Sequence, residues 1–242
     1  MIKEAINKLS YALFPKRCEL CGEVCELDAI RCEECEKLER ISGELCRICG
    51  NPKAQCSCKN KNKKPEYKAF IAPFYYENSI TAGVIRFKEY NYPELSKAMA
   101  REMSEHIDDY FGDIDFDCIT FVPMTKKKQQ NRGYNQAELL ANEVSLNTGI
   151  PVCNLLEKVM RTPDQKRGNA KQRAVNLHGA FDLIEGEDVD DKTILLVDDI
   201  RTTGSTISEC AYVLNAYGAQ AVYALALCMT KPKKEEKNEN EE

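Results

Sequence analysis

Of the chain's thirteen cysteines, nine fall between Cys18 and Cys58, and this crowding constrains the fold of the 242 residues more than any other feature. A segment that short cannot bury a sufficient apolar core, so another interaction must supply its folding energy. Lys3 and Glu4 are followed by only a few apolar residues, so no secretory signal is expected and the chain reads as cytoplasmic. In that reducing compartment clustered thiols favour a metal over disulfides. Cys18/Cys21, Cys32/Cys35 and Cys46/Cys49 share a two-residue gap, which lets a tight turn aim two sulfurs at one ion. Gly22 and Gly50 directly follow the second cysteine of their pairs, where the turn favours a residue tolerant of positive φ. The last pair, Cys56 and Cys58, has a gap of one. The simplest division is a double zinc ribbon, with Cys18, Cys21, Cys32 and Cys35 on one ion and Cys46, Cys49, Cys56 and Cys58 on the other. A cross-braced pairing of alternate knuckles also fits the spacing, one or two ions are expected, and Cys25 is left over. A shell of four sulfurs leaves no position for water, so the zinc is structural.

The polar run Lys59, Asn60, Lys61, Asn62, Lys63, Lys64 and Pro65 reads as a linker, and Lys231 to Glu242 as a disordered charged tail. The expected units are therefore 1–65, 66–230 and 231–242. Within the middle unit strands alternate with helices. Ala69 to Tyr76 reads as a strand, and Pro93 to Phe111 as a helix with Leu95, Met99, Met103 and Ile107 at helical spacing. Ile119 to Val122 is a buried strand; Asn135 caps a helix bearing Ala137, Leu140, Ala141 and Val144 on one face. Thr193 to Val197 is the next strand, and Ser205 to Tyr217 the next helix, with Ile207, Ala211 and Leu214 inward and Gly218 as its stop. Ala221 to Leu227 is the last strand. This order predicts an α/β fold with a parallel sheet. The long apolar stretch from Cys210 to Met229 is interrupted by Asn215, Gly218 and Gln220, so no membrane insertion is expected. Cys118, Cys153, Cys210 and Cys228 read as small core residues, and neither His106 nor His178 lies beside a nucleophile.

The most specific chemistry lies in Ile194 to Thr206, ILLVDDIRTTGST. Four apolar residues form a buried strand, two carboxylates follow at its carboxyl end, and a hydroxyl-rich loop leads into a helix. Ligands of open α/β sheets bind beyond the carboxyl ends of the strands. Gly204 lets backbone approach a ligand closely, and the loop's N–H groups with the positive end of the helix suit a phosphate. Asp198 and Asp199 can accept hydrogen bonds from a sugar or hold magnesium through water. One loop could grip a ribose 5-phosphate at both ends.

This segment resembles the phosphoribosyl pyrophosphate (PRPP) motif of type I phosphoribosyltransferases. Further residues narrow the resemblance to the ComF family of competence-associated proteins: Val122-Pro123, then Arg132-Gly133-Tyr134-Asn135-Gln136, Leu139, Leu140, Ala141, Gln165, Arg173, Asn176 and Gly179-Ala180-Phe181, with the cysteine knuckles in front. Arg201 departs from the pattern, which usually has an apolar or aromatic residue there. The resemblance implies a type I phosphoribosyltransferase-like parallel sheet with helices on both faces, preceded by a small zinc-ribbon domain. It implies that Asp198 and Asp199 are the catalytic acids, and that Thr202, Thr203, Gly204, Ser205 and Thr206 hold the 5-phosphate. Pro123, Met124, Thr125, Arg132 and Arg173 would complete the PRPP site, with magnesium accompanying PRPP.

The net charge of −5 argues against tight binding to nucleic acid over the whole surface. From Met124 to His178, however, ten Lys or Arg face four Asp or Glu, whereas Asp182 to Asp199 carries eight acids and one lysine. The basic excess marks a working face, and Lys126, Lys127 and Lys128 are its candidate nucleic-acid contacts. Three functions follow from the resemblance: PRPP binding coupled to DNA uptake and single-stranded DNA handling with competence machinery proteins, a magnesium-dependent phosphoribosyltransferase acting on a nucleobase or other small acceptor, or a PRPP sensor without turnover. After the strand ending near Leu227 only the charged tail follows, so no hood over a nucleobase is expected, and the first reading leads.

Overall fold

The computed structural model describes residues 11, 13–56, 58, 64–159 and 179–232. Its centre is a parallel sheet of five strands: β1 (Phe70–Ile71), β2 (Phe74–Tyr75), β3 (Cys118–Phe121), β6 (Thr193–Arg201) and β7 (Ala221–Met229). The order is β1-β7-β6-β3, with β2 also on β7. β6 and β7 form the long central pair, in register from Thr193↔Ala221 to Arg201↔Met229. Ile194 to Val197 of β6 and most of β7 are buried apolar runs, as expected of strands covered on both faces. A small antiparallel pair, β4 (Leu156–Lys158) with β5 (Phe181–Leu183), stands apart from this sheet.

One face is covered by α3 (Leu95–Phe111) and α5 (Gln136–Thr148), the other by α6 (Ser205–Ala216). The expected inward residues of all three are buried: Leu95, Met99, Met103 and Ile107; Ala137, Leu140, Ala141 and Val144; Ile207, Ala211 and Leu214. Asn135 caps α5, its Oδ1 accepting from Ala137 N at 3.1 Å. His106 is wholly buried on α3, and desolvation pulls it down to about 4, so it is a neutral core residue at physiological pH. Among the described residues no helix is long and apolar enough to cross a membrane.

Four details differ from the sequence expectations. Ala69 to Tyr76 is two strands rather than one, because Pro73 cannot donate to a ladder; its carbonyl instead accepts from Ile41 N at 2.7 Å. β6 runs beyond Val197 to Arg201, so both acids lie inside the strand, held there by continued pairing with β7. Cys153 is half-exposed, unlike the buried Cys118, Cys210 and Cys228. An unexpected helix, α2 (Asn78–Glu89), buries Ile80, Val84 and Phe87 against the sheet's helical layer.

The cysteine-rich segment packs directly on this framework, and contains the short helix α1 (Glu33–Glu36). Its first knuckle sends Leu20 into the main core and meets α2 at Gly83, where an added Cβ would stand 2.5 Å from Leu20 O. Arg86 of α2 donates to Cys21 O at 2.8 Å and pairs with Glu23. The second knuckle meets β1 and β7 at Gly50, where a Cβ would lie 2.8 Å from the Phe70 ring and 3.2 Å from Met229 Sδ.

Candidate functional site

β3 ends beside Val197 of β6, immediately before the two acids, with Val122 N donating to Val197 O at 2.9 Å. This register brings the Pro123–Thr125 turn out at the end of the sheet where β6 carries the acids. Pro123 is buried, Met124 and Thr125 are half-buried, and Thr125 caps α4 (Lys126–Arg132) by accepting from Lys128 N at 3.3 Å. Lys126, Lys127 and Lys128 therefore sit on a helix, all exposed to solvent.

Asp198 accepts from Asp199 N at 2.8 Å, and burial with the neighbouring Asp199 charge pushes it up to about 8. Both effects disfavour its charged form. Asp199 has a cationic partner that sequence reasoning missed: Lys88 of α2, its Nζ 2.9 Å from both carboxylate oxygens. The apolar spacing of Ile80, Val84 and Phe87 could have revealed the helix. No local signal joins Lys88 to an acid 111 residues away.

The segment Arg132-Gly133-Tyr134-Asn135-Gln136 explains how Lys88 is held. Tyr134 Oη donates to Phe87 O at 2.5 Å, and Gln136 Nε2 reaches the same carbonyl at 3.5 Å. Arg132 Nη2 bonds Glu89 at 2.7 Å, while Asn135 Nδ2 ties the clasp to Val122 O at 3.1 Å. Gly133 takes φ +83° to end α4 and start the clasp. The motif thus grips Phe87 and Glu89 on either side of Lys88. A groove of about 630 Å³ opens beside it, lined by Lys88, Asn91, Lys128 and Arg132 among others. The Arg132 guanidinium is engaged by Glu89 at the rim of this groove.

Beyond the acids, Thr202, Thr203, Ser205 and Thr206 are exposed and Gly204 is buried with φ +83°. Thr203 Oγ1 and Ser205 Oγ lie 2.7 Å apart, and Ser205 N donates to Thr203 Oγ1 at 3.3 Å, which preshapes the turn. Thr230 N and Oγ1 bond Arg201 O at 3.1 Å and Thr202 O at 3.2 Å, anchoring the loop to β7. Its N–H groups open onto the positive end of α6, an arrangement able to hold an anion. Glu209, one turn into α6, accepts from Ala180 N at 2.8 Å. The carboxylate passes where a Cβ on Gly179 would stand, so a side chain there would displace Glu209. Arg173, Gln165 and Asn176 lie outside the described residues.

The cysteines form two groups in chain order rather than cross-braced: Cys18, Cys21, Cys32 and Cys35, and Cys46, Cys49, Cys56 and Cys58. In each group the sulfurs lie within 4.8 Å of one another. The knuckles repeat one backbone geometry: Cys18 N→Glu23 O at 2.7 Å and Gly22 N→Cys18 O at 2.8 Å match Cys46 N→Asn51 O and Gly50 N→Cys46 O, both 2.8 Å. Gly22 and Gly50 have φ of 74° and 75°. Sulfur hydrogen bonds from Cys21 and Cys35 pull the Cys18 thiol down, while hydrogen bonding to Cys18 pushes Cys21 and Cys35 up. Four thiolates this close need a cation to coexist, and both groups fit a metal ion. Cys25 is buried elsewhere, its Sγ directed at Lys16 O and Ala29 O at 3.7 and 3.6 Å.

With this geometry established, the comparisons identify the class. The phosphoribosyl transferase domain family matches residues 94–242, and the chain belongs to that family. It is 29% identical to Competence protein F of Haemophilus influenzae over 204 residues, 81% of this chain and 89% of that protein. It is 28% identical to DNA utilization protein YhgH of Escherichia coli K12, covering 82% and 90%, and 25% identical to Competence protein ComFC of Bacillus subtilis, covering 78% and 80%. The chain is accordingly a ComF-family protein with the type I phosphoribosyltransferase fold.

Elemental analysis of the purified chain should find two metal ions. Cys35→Ser should lose one of them and Cys25→Ala neither; an unchanged count in the Cys35 variant would contradict the grouping.

Proposed function

We propose that this chain binds magnesium–PRPP at the carboxyl end of β6 and handles single-stranded DNA in natural competence, with two structural zinc ions folding its amino-terminal part. The observation that carries the reading is the convergence at one strand end of paired acids, a preshaped hydroxyl loop on a helix N-terminus and a lysine-bearing groove. Ribose hydroxyls would donate to Asp199 and Asp198. The 5-phosphate would accept from the backbone N–H groups and hydroxyls of Thr202 to Thr206, and the diphosphate would lie along Pro123 to Thr125. Lys88 would bring its charge between the acids and the anionic ligand, lowering the repulsion that two carboxylates impose on PRPP. Magnesium, when bound, would neutralise part of the diphosphate charge. Arg132 stands beside the groove, and Arg173 is proposed from its place in the motif.

The relatives' names, competence protein and DNA utilization protein, support the role in DNA handling. The exposed Lys126, Lys127 and Lys128 on α4 border the same end of the sheet and could track a phosphate backbone. Tyr134, the aromatic that follows them, has its hydroxyl tied to Phe87 O and its ring packed on Phe87, so little base stacking and little sequence preference are expected.

Asp198→Asn with Asp199→Asn should weaken magnesium-dependent PRPP binding at least tenfold by calorimetry, at ~1.5–3 kcal/mol for lost hydrogen bonds to charged groups. Equal affinity in that double variant would remove the acids from the site. Single-stranded DNA binding should fall steeply with salt and weaken when the three lysines become glutamine. Absence of DNA binding at low salt, combined with brisk base-dependent pyrophosphate release, would instead establish a salvage enzyme.

A further inference from the structure

Arg201 ends β6 between the acids and the phosphate loop, at the position where the family pattern has an apolar or aromatic side chain. Its guanidinium lies 4.7 Å over the Phe70 ring, donates to Cys49 O at 3.3 Å and reaches Tyr67 Oη at 3.5 Å. Tyr67 in turn donates to Ile48 O at 2.8 Å, and Phe70 N to Arg47 O at 2.9 Å. Three successive carbonyls of the second cysteine knuckle, those of Arg47, Ile48 and Cys49, are thus each bonded, by Phe70 of β1, by Tyr67 just before it and by Arg201 of β6.

The Nε–Nη2 edge of the same guanidinium lies against the Thr202–Thr206 loop. A Cβ on Gly204 would stand 2.8 Å from Arg201 Nε and 3.0 Å from Nη2 and would push the guanidinium aside, and the φ of +83° there favours glycine in any case. Nε is buried without a hydrogen-bond partner, and among the described residues no carboxylate forms an ion pair with Arg201. A desolvated cation lacking an anion is costly, and an anionic ligand close by relieves that cost. The space beside it is a cavity of about 410 Å³, walled by Ile48, Cys58 and Tyr67 on one side and by Arg201, Gly204 and Ser205 on the other.

From this geometry we infer that Arg201 is a positioning residue that couples the second zinc knuckle to the 5-phosphate site. The metal-folded knuckle fixes the guanidinium; the guanidinium supports the Gly204 turn and places a permanent positive charge beside the bound phosphate. Arginine suits this task because its planar fork reaches Cys49 O through Nη1 and Tyr67 Oη through Nη2 while its face lies over the Phe70 ring, a combination lysine does not reproduce. The inference rests on the PRPP reading and adds to it that phosphate affinity depends on the metal state of a cluster that never touches the ligand.

The test is calorimetry on the full-length chain with two probes, ribose 5-phosphate and magnesium pyrophosphate. Arg201→Met should weaken ribose 5-phosphate about tenfold or more and leave magnesium pyrophosphate unchanged. Arg201→Lys, which keeps the charge and loses the fork, should fall between. Cys56→Ser, which opens the second cluster, should weaken ribose 5-phosphate in the wild-type background and add little in the Arg201→Met background. Unaltered ribose 5-phosphate binding in Arg201→Met overturns the inference, as does an equal loss for both probes, which would mark a general folding defect. Additive losses for Cys56→Ser and Arg201→Met would overturn the coupling. If the wild-type chain binds neither ribose 5-phosphate nor PRPP, the PRPP reading fails and the inference with it.

Discussion

A parallel sheet covered on both faces leaves its polar chemistry only at the ends of its strands, and that constraint organises this molecule. β6 and β7 bury their sides against α3, α5 and α6. Their pairing continues to Arg201, carrying Asp198, Asp199 and Arg201 outward on strand backbone rather than on a loop. Desolvation at this depth explains why Asp198 is pushed up to about 8 and why Asp199 is matched by the Lys88 ammonium. Two neighbouring acids sustained without a counter-cation would repel one another strongly in so buried a place. The same geometry orients the phosphate loop, whose N–H groups follow the strand into the N-terminus of α6.

The cysteine-rich part meets this end of the sheet through two similar joints. Each knuckle offers the carbonyl of its second cysteine to an arginine of the framework, Cys21 O to Arg86 and Cys49 O to Arg201. Each also rests on close glycine contacts, at Gly83 for the first and at Gly50 for the second. Arg86 lies two residues before Lys88, and Arg201 two residues after Asp199. The knuckles therefore brace the two chain segments that bring charge to the site. A segment with too little apolar surface to fold alone gains support from these joints, to which ions held by its two cysteine groups would add.

Much of this was legible in the sequence, for physical reasons. The acid pair and its glycine loop form one contiguous stretch whose local geometry follows from strand, turn and helix chemistry. The cysteine spacing limited which sulfurs could share an ion, although choosing sequential over cross-braced grouping needed three dimensions. Helical spacing placed the inward faces of α3, α5 and α6 correctly. What escaped was tertiary. Lys88 reaches Asp199 because the Arg132–Gln136 clasp grips the end of α2, and neither segment advertises the other. Arg201 read as a departure from a motif because its partners, Cys49, Tyr67 and Phe70, all lie more than 130 residues earlier. The break in the first strand was marked by Pro73, whose effect on the ladder is local and could have been read.

The central claim is that PRPP sits at the carboxyl end of β6, and backbone hydrogen exchange measures this most directly. With magnesium–PRPP added, the amides of Thr202 to Thr206 should slow markedly, because the phosphate would accept hydrogen bonds from them, while the amides along α3 should not change. Exchange at Thr202 to Thr206 that is identical with and without saturating magnesium–PRPP would contradict the account.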